Sequence, residues 1–276
     1  MPNASDRSAH TLHQERWRAR YGPWAVVTGA SDGIGRAMAR CLAAAGLDLV
    51  LVARRRAVLD ELAAELTARY GIATRVLDVD LALDAAAATV ATATHDLDVG
   101  LLVAAAGFGT SGPFLDARLA QELEMLHVNC RAPLALSLHF GRRFANRRRG
   151  GVVLMGSLLA FQGVPYAAHY AATKAYMQTF AEGLHAELAP LGVDVVASAP
   201  GPVHSGFAAR ADMRLGRALT PHDVAGATLA ALGRRSTVRP GWQSQVLEGA
   251  LAPLPRRARV RVMGTIMAGM TRHRRE

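Results

Sequence analysis

The chain has 276 residues, 51% of them hydrophobic, and no apolar run approaches the roughly 20 residues needed to cross a bilayer, so no segment reads as a membrane span. Its formal net charge is +10, but the arginines are dispersed and no nucleic-acid-binding motif accompanies them, which argues against a nucleic-acid partner. The two cysteines, Cys41 and Cys130, fall in helical patterns and read as reduced thiols, not as a disulfide or a metal site.

Along the chain, residues 1–20 form a polar, basic arm whose Asp6, His10, His13 and Glu15 stand where a secretion signal needs an apolar stretch; a cytoplasmic location is expected. Residues 24–27 predict a first strand, and Thr28 to Gly35 a turn into a helix over 36–45, closed by Gly46. A second strand follows at 47–52, an amphipathic helix at 58–70 with Gly71 past its end, and a third strand at 73–77. The alternation continues with a strand at 100–104, a long helix containing Asn129, and a strand over 151–157. A further helix carries Tyr170 and Lys174, and strands follow at 193–198 and near Thr237 and Val238. Strand and helix in strict alternation predict an α/β fold: one doubly wound Rossmann domain over 21–250, its sheet mostly or wholly parallel with helices on both faces.

The first turn reads as a pyrophosphate site. Gly29, Gly33 and Gly35, with Thr28, Ser31, Asp32 and Ile34 between and before them, leave a strand and open a helix. Small residues there let the backbone approach a phosphate, and a helix N-terminus adds roughly half a positive charge. A dinucleotide without a 2′-phosphate is usually held by an acidic residue after the second strand. This chain has Ala53 and then Arg54-Arg55-Arg56 at that place. With no carboxylate expected nearby and Arg54 placed to pair with a phosphate, NADP(H) is favoured over NAD(H).

Of the 32 basic residues, 31 are arginine, and the one lysine, Lys174, comes four residues after Tyr170. A chain so biased keeps lysine only where a compact ammonium with three rotatable donors is required. At i and i+4 of a helix the two side chains share a face. Ser157 ends the strand over 151–157, at the carboxyl end where ligands of open α/β sheets bind, and becomes a candidate donor to a substrate oxygen.

Together, the glycine turn from Thr28 to Gly35, Asn129, Ser157 and Tyr170 with Lys174 resemble the short-chain dehydrogenase/reductase (SDR) family over residues 21 to about 240. The stretch from Tyr21 to Gly35 is also similar to the opening of the 3-ketoacyl and 17β-hydroxysteroid reductase branch. The resemblance implies an oxidoreductase interconverting a carbonyl and a secondary alcohol, on an apolar substrate such as a ketoacyl, steroid-like or other ketone. It assigns Tyr170 as general acid, Ser157 as donor to the developing alkoxide, Lys174 as ribose anchor and tuner of the phenol, and Asn129 as holder of a relay water. It places Asp78 and Val79 against the adenine, and Pro200, Gly201, Val203 and Ser205 beside the nicotinamide. Where the family usually has Asn-Asn-Ala-Gly this chain has Ala104, Ala105, Ala106 and Gly107, so contacts there must rest on backbone. A neighbouring ammonium is expected to lower the phenol from its ordinary value near 10, and about 3 units would take about 4 kcal/mol.

Residues 202–220 are expected to form a lid. In it Phe207, Met213 and Leu215 would face an apolar substrate and Arg210, Arg214 and Arg217 an anionic one, or the whole lid would simply be solvated. Within the basic segment 251–276, Val260, Met263, Met267 and Met270 share a helical face that docks on the protein or a sister subunit, or lies on an anionic membrane. The resemblance also implies a homodimer or homotetramer. The rival reading is a non-catalytic NADP(H)-binding sensor or scaffold on the same fold, marked by loss of one of the four polar residues. Asn129, Ser157, Tyr170 and Lys174 are all present.

Overall fold

The structure is a computed structural model, and it describes residues 14–211 and 218–271. Strands β1 (Trp24–Thr28), β2 (Asp48–Ala53), β3 (Thr74–Asp78), β4 (Val99–Ala104), β5 (Gly150–Met155), β6 (Val193–Ser198) and β7 (Thr237–Val238) pair in the order β3-β2-β1-β4-β5-β6-β7. Every pairing is parallel, so the sheet is a doubly wound one as the alternation predicts. The order reverses between β1 and β4, and that switch point opens a crevice off the carboxyl ends of the strands.

Both faces of this sheet are dry because successive side chains of each strand point to opposite sides and both sides are apolar. Ala25 and Val27, Leu49 and Leu51, and Leu101 and Val103 face one core. The alternate residues Val26, Val50, Val52, Leu102 and Ala104 face the other. The first core is covered by α1 (Gly33–Ala44), α2 (Arg56–Tyr70) and, after the lid, α8 (Pro221–Ala231). The second is covered by α3 (Ala86–Ala93), α4 (Leu119–Leu126), α5 (Ala132–Asn146) and α6 (Ala168–Leu188). Among the described residues the lid contains one short helix, α7 (Gly206–Arg210), and α9 (Trp242–Leu251) and α10 (Arg256–Met270) follow α8.

Two expectations change. The arm is part of the domain from residue 14 onward: residues 14–21 are helical, Trp17 packs on the core, and Arg20 and the Tyr21 hydroxyl bond Asp194 at 2.8 and 2.7 Å. The long helix around Asn129 is broken by a π-helical turn, His127–Arg131. Pro133, the second residue of α5, lacks the N–H that the Asn129 carbonyl would accept from in an unbroken α-helix, so the ladder must adjust there.

The tail takes the first of the alternatives expected for it, docking on the protein. Met263 and Met267 are 3% and 2% exposed and pack with Val164, Ala167, Ala171 and Leu251, with Met270 against the same cluster. The apolar stripe therefore docks on its own protein, and the exposed face of α10 carries Arg257 and Arg261. Among the described residues no helix is long and apolar enough to cross a membrane.

Candidate active site

The crevice contains a cavity of about 590 Å3. Its walls bring together Gly29, Ser31, Asp32, Gly33, Ile34, Gly35, Arg54, Val79, Ala105, Gly107, Ser157, Tyr170, Lys174, Pro200, Gly201, Val203 and Ser205. These residues come from seven separate stretches of chain, and the switch point of the sheet is what collects them.

At one end the surface is backbone. A Cβ on Gly29 would stand 2.8 Å from the Ala106 backbone, and one on Gly35 only 2.3 Å from the Gly29 carbonyl. Gly29 and Gly33 also have φ of +69° and +51°, which favour glycine. Asp32 caps α1, its carboxylate accepting from Gly33 N at 2.7 Å and from Gly206 N at 3.1 Å, so it ties the turn to the lid helix. Thr28 lies behind the wall: its hydroxyl accepts from Ala106 N at 3.1 Å and so pins the alanine loop after β4 to β1. A narrow cradle of glycine backbone at the start of a helix fits a pyrophosphate, and with it a nicotinamide dinucleotide held by Gly29, Gly33, Gly35 and the loop at 105–107.

Around Arg54 the expectation of a carboxylate-free neighbourhood fails. Its guanidinium stands 3.8 Å from Asp80 and 3.4 Å from Glu124. The cause is tertiary: β3 lies beside β2 with Ala53 opposite Asp78, so the residues following the two strands emerge as neighbours. Arg55, the next residue, reaches Ser31 instead, its Nη2 donating to the Ser31 carbonyl and hydroxyl at 3.1 Å. It also lines the cavity. Asp78 is drawn away from that wall by Arg56, at 3.5 Å, while Val79 and Asp80 take the place beside it.

At the centre, Ser157 ends β5 and caps a 3-10 turn, its hydroxyl accepting from Leu159 N at 3.2 Å. It faces the Tyr170 phenol closely enough to lower that phenol's pKa. Tyr170 and Lys174 are both buried on α6, with the ammonium 5.8 Å from the ring centroid and donating to the Met155 carbonyl at 2.9 Å. Asn129 lies behind them. The π-turn aims its amide at the loop after β4, where Oδ1 accepts from Phe108 N at 3.1 Å and Nδ2 donates to Phe108 O and to Thr173 Oγ1 at 2.9 and 3.0 Å.

Electrostatically this centre differs from the expected one. Burial pushes the Tyr170 phenol up to about 12, opposed by the Ser157 side chain. Burial also pulls Lys174 down to about 8. Desolvation outweighs charge pairing here, because the ammonium points at the Met155 carbonyl and both groups lie out of water.

Several wall residues escaped the sequence reading. Arg55 had a usable signal, since it follows Arg54 directly. Phe108 and Glu124 had none; Glu124 also pairs with Arg210 at 2.9 Å, while the Arg210 guanidinium lies 3.7 Å from the Phe108 ring centroid. Of the lid residues, Phe207 packs against the Tyr170 ring with centroids 5.3 Å apart, whereas Met213, Leu215, Arg214 and Arg217 lie outside the described residues.

This arrangement is that of a dinucleotide-dependent oxidoreductase on a Rossmann sheet. The model of the short chain dehydrogenase family matches residues 23–214, and the chain belongs to that family. It is similar to the 7beta-hydroxysteroid dehydrogenase of Clostridium sardiniense, 36% identical over 65% of this chain and 69% of that one. It is also similar to the very-long-chain 3-oxoacyl-CoA reductase of Pyrenophora tritici-repentis, 35% identical over 77% of this chain, although the match spans only 64% of the reductase. Among solved structures, a short-chain dehydrogenase from Sphingobium yanoikuyae in complex with NADPH superposes with a TM-score of 0.76 at 30% identity, covering 84% of this chain and 94% of that one.

Proposed function

We propose that the protein is an NADP(H)-dependent carbonyl reductase acting on an apolar ketone, with Tyr170 as the proton donor. The observation that carries this reading is the meeting of Ser157, Tyr170 and Lys174 with the glycine turn in one cavity. When bound, the dinucleotide supplies the hydride. The Tyr170 hydroxyl gives its proton to the substrate oxygen, so that a carbonyl gains one hydride and one proton and becomes an alcohol. Ser157 steadies the same oxygen by donating a hydrogen bond as negative charge develops. Lys174 holds the ribose side of the dinucleotide and Asn129 keeps the loop at 107–108 in place and a relay water behind it. A phenol held protonated through neutral pH is in the form that donates a proton to a carbonyl oxygen.

The preference for the phosphorylated dinucleotide rests on the arginine pair. Arg55 is the better placed to meet a 2′-phosphate, since its bonds go to the hydroxyl and carbonyl of Ser31, while Arg54 must share its charge with Asp80 and Glu124. The homo-oligomer implied by the family would cover the exposed Leu134 and Leu138 of α5 and Tyr176 of α6 with a second copy of the chain.

Tyr170→Phe tests the mechanism. Steady-state turnover is expected to fall by at least about 100-fold with NADPH affinity, read by fluorescence titration, little changed. Unaltered turnover would remove Tyr170 from the chemistry. Lys174→Arg keeps the charge and loses the compact ammonium, so it should fail to restore activity.

A further inference from the structure

The cavity continues past Tyr170 to a second wall, made by α9 and α10. Leu247 of α9 and Met263, Ile266, Met267 and Met270 of α10 line it together with Ser157 and Tyr170. All five lie beyond the 23–214 stretch that carries the family match. We propose that this wall selects the substrate: a ketone whose uncharged, bulky apolar body lies along α10 while its carbonyl sits at Ser157 and Tyr170. The proposal rests on the carbonyl-reductase reading and adds what the substrate must look like away from the reacting carbon.

Three observations support it. First, among the described residues no charged side chain of α9 or α10 lines the cavity; the charged lining residues described there, Asp32, Arg54, Arg55, Asp80, Glu124, Lys174 and Arg210, come from the strand-end loops, α4, α6 and the lid. Arg210 is already engaged by Glu124 and stacked on Phe108, so the described residues of the wall offer no charge to a carboxylate or phosphate on the substrate body. Second, three of the five residues are methionines. Unbranched thioether chains adapt to ligands of irregular outline and contact flat ring systems favourably. Third, the wall is held in register with the catalytic tyrosine. Met263 and Met267 pack on Val164, Ala167 and Ala171, the loop and first turn that carry Tyr170. Gly264 permits that approach, since a Cβ there would stand 3.1 Å from Pro165 Cγ.

Ile266 is 37% exposed and Met270 half-buried, so both can be cut back without opening the core. In the NADPH-loaded protein, binding of a fused-ring ketone and of cyclohexanone is measured by calorimetry, and NADPH oxidation is followed with each. In Ile266→Ala with Met270→Ala, the fused-ring ketone should lose about 10-fold in affinity relative to cyclohexanone, equivalent to about 1.4 kcal/mol. Gly264→Val, which pushes α10 away from Pro165, should lower the same ratio. Arg257→Ala, on the exposed face of α10, should leave it alone. A wild type that does not bind the fused-ring ketone, or a ratio unmoved by the wall variants, overturns the proposal and leaves the reductase reading standing. A ratio that falls as expected in a protein that never oxidises NADPH sinks the reductase reading and keeps the wall.

Discussion

The two ends of the cleft are made of different material. At the glycine turn the surface is main chain, and a single added carbon at Gly35 would meet a carbonyl oxygen at 2.3 Å. Along α10 the surface is side chain, three methionines and an isoleucine, any of which another apolar residue of similar volume would replace at small cost. A backbone surface tolerates one residue type and so leaves the same signature wherever it is used. A side-chain surface is free to drift, and it is where a shared fold acquires a particular substrate.

That contrast is breakable. Gly35→Ala should be the harshest change at the first end, costing about 3 kcal/mol of stability, the top of the usual range for overpacking, and abolishing measurable NADPH binding. Thermal melting and fluorescence titration read the two effects; an alanine tolerated there would mean that the cradle is not backbone-limited. Arg55→Ala is milder. Removing a charge-assisted contact to a 2′-phosphate should weaken NADPH by about 10-fold and leave NADH nearly unaffected, whatever ketone is used. If Arg54→Ala gave the larger loss, Asp80 and Glu124 would have to release Arg54 on binding.

The last effect concerns the boundary between the ends. Because Lys174 titrates at about 8 in the folded protein against an ordinary 10.5, the unfolded chain holds more protons there between about pH 8 and 10. Stability must therefore rise with pH across that window, by up to about 1.4 kcal/mol per unit. Cys130, raised to about 11 by burial, opposes this above about pH 9 in any variant that keeps it. The difference between wild type and Lys174→Met in urea denaturation at pH 8, 9 and 10 isolates the lysine. A constant difference would mean that the ammonium is not desolvated.

Much of the first end was readable before any coordinates. The alternation of strands and helices implies the parallel sheet, and the glycines and the lone lysine mark where chemistry gathers. The readings that failed all depended on neighbours distant in sequence. Asp80 and Glu124 reach Arg54 only because β3 pairs with β2 and α4 crosses the crevice. The π-turn places Asn129 against Phe108, 21 residues away in the chain. Spacing puts Lys174 on the same face as Tyr170, but it does not say where the ammonium points, and burial reverses the expected direction of the phenol's shift.

Sequence alone determined which segments are strands and helices, the parallel order of a Rossmann sheet, and the residue types at the glycine turn and around Tyr170. These follow from local periodicity, i and i+4 geometry and the steric demands of main-chain approach, all of which act over a few residues. Tertiary structure decided which charges share a pocket, how far burial shifts a pKa, and that the methionine stripe of α10 turns inward to the cavity. Those are matters of solvent exclusion and distance between remote segments, and they exist only once the chain has closed on itself.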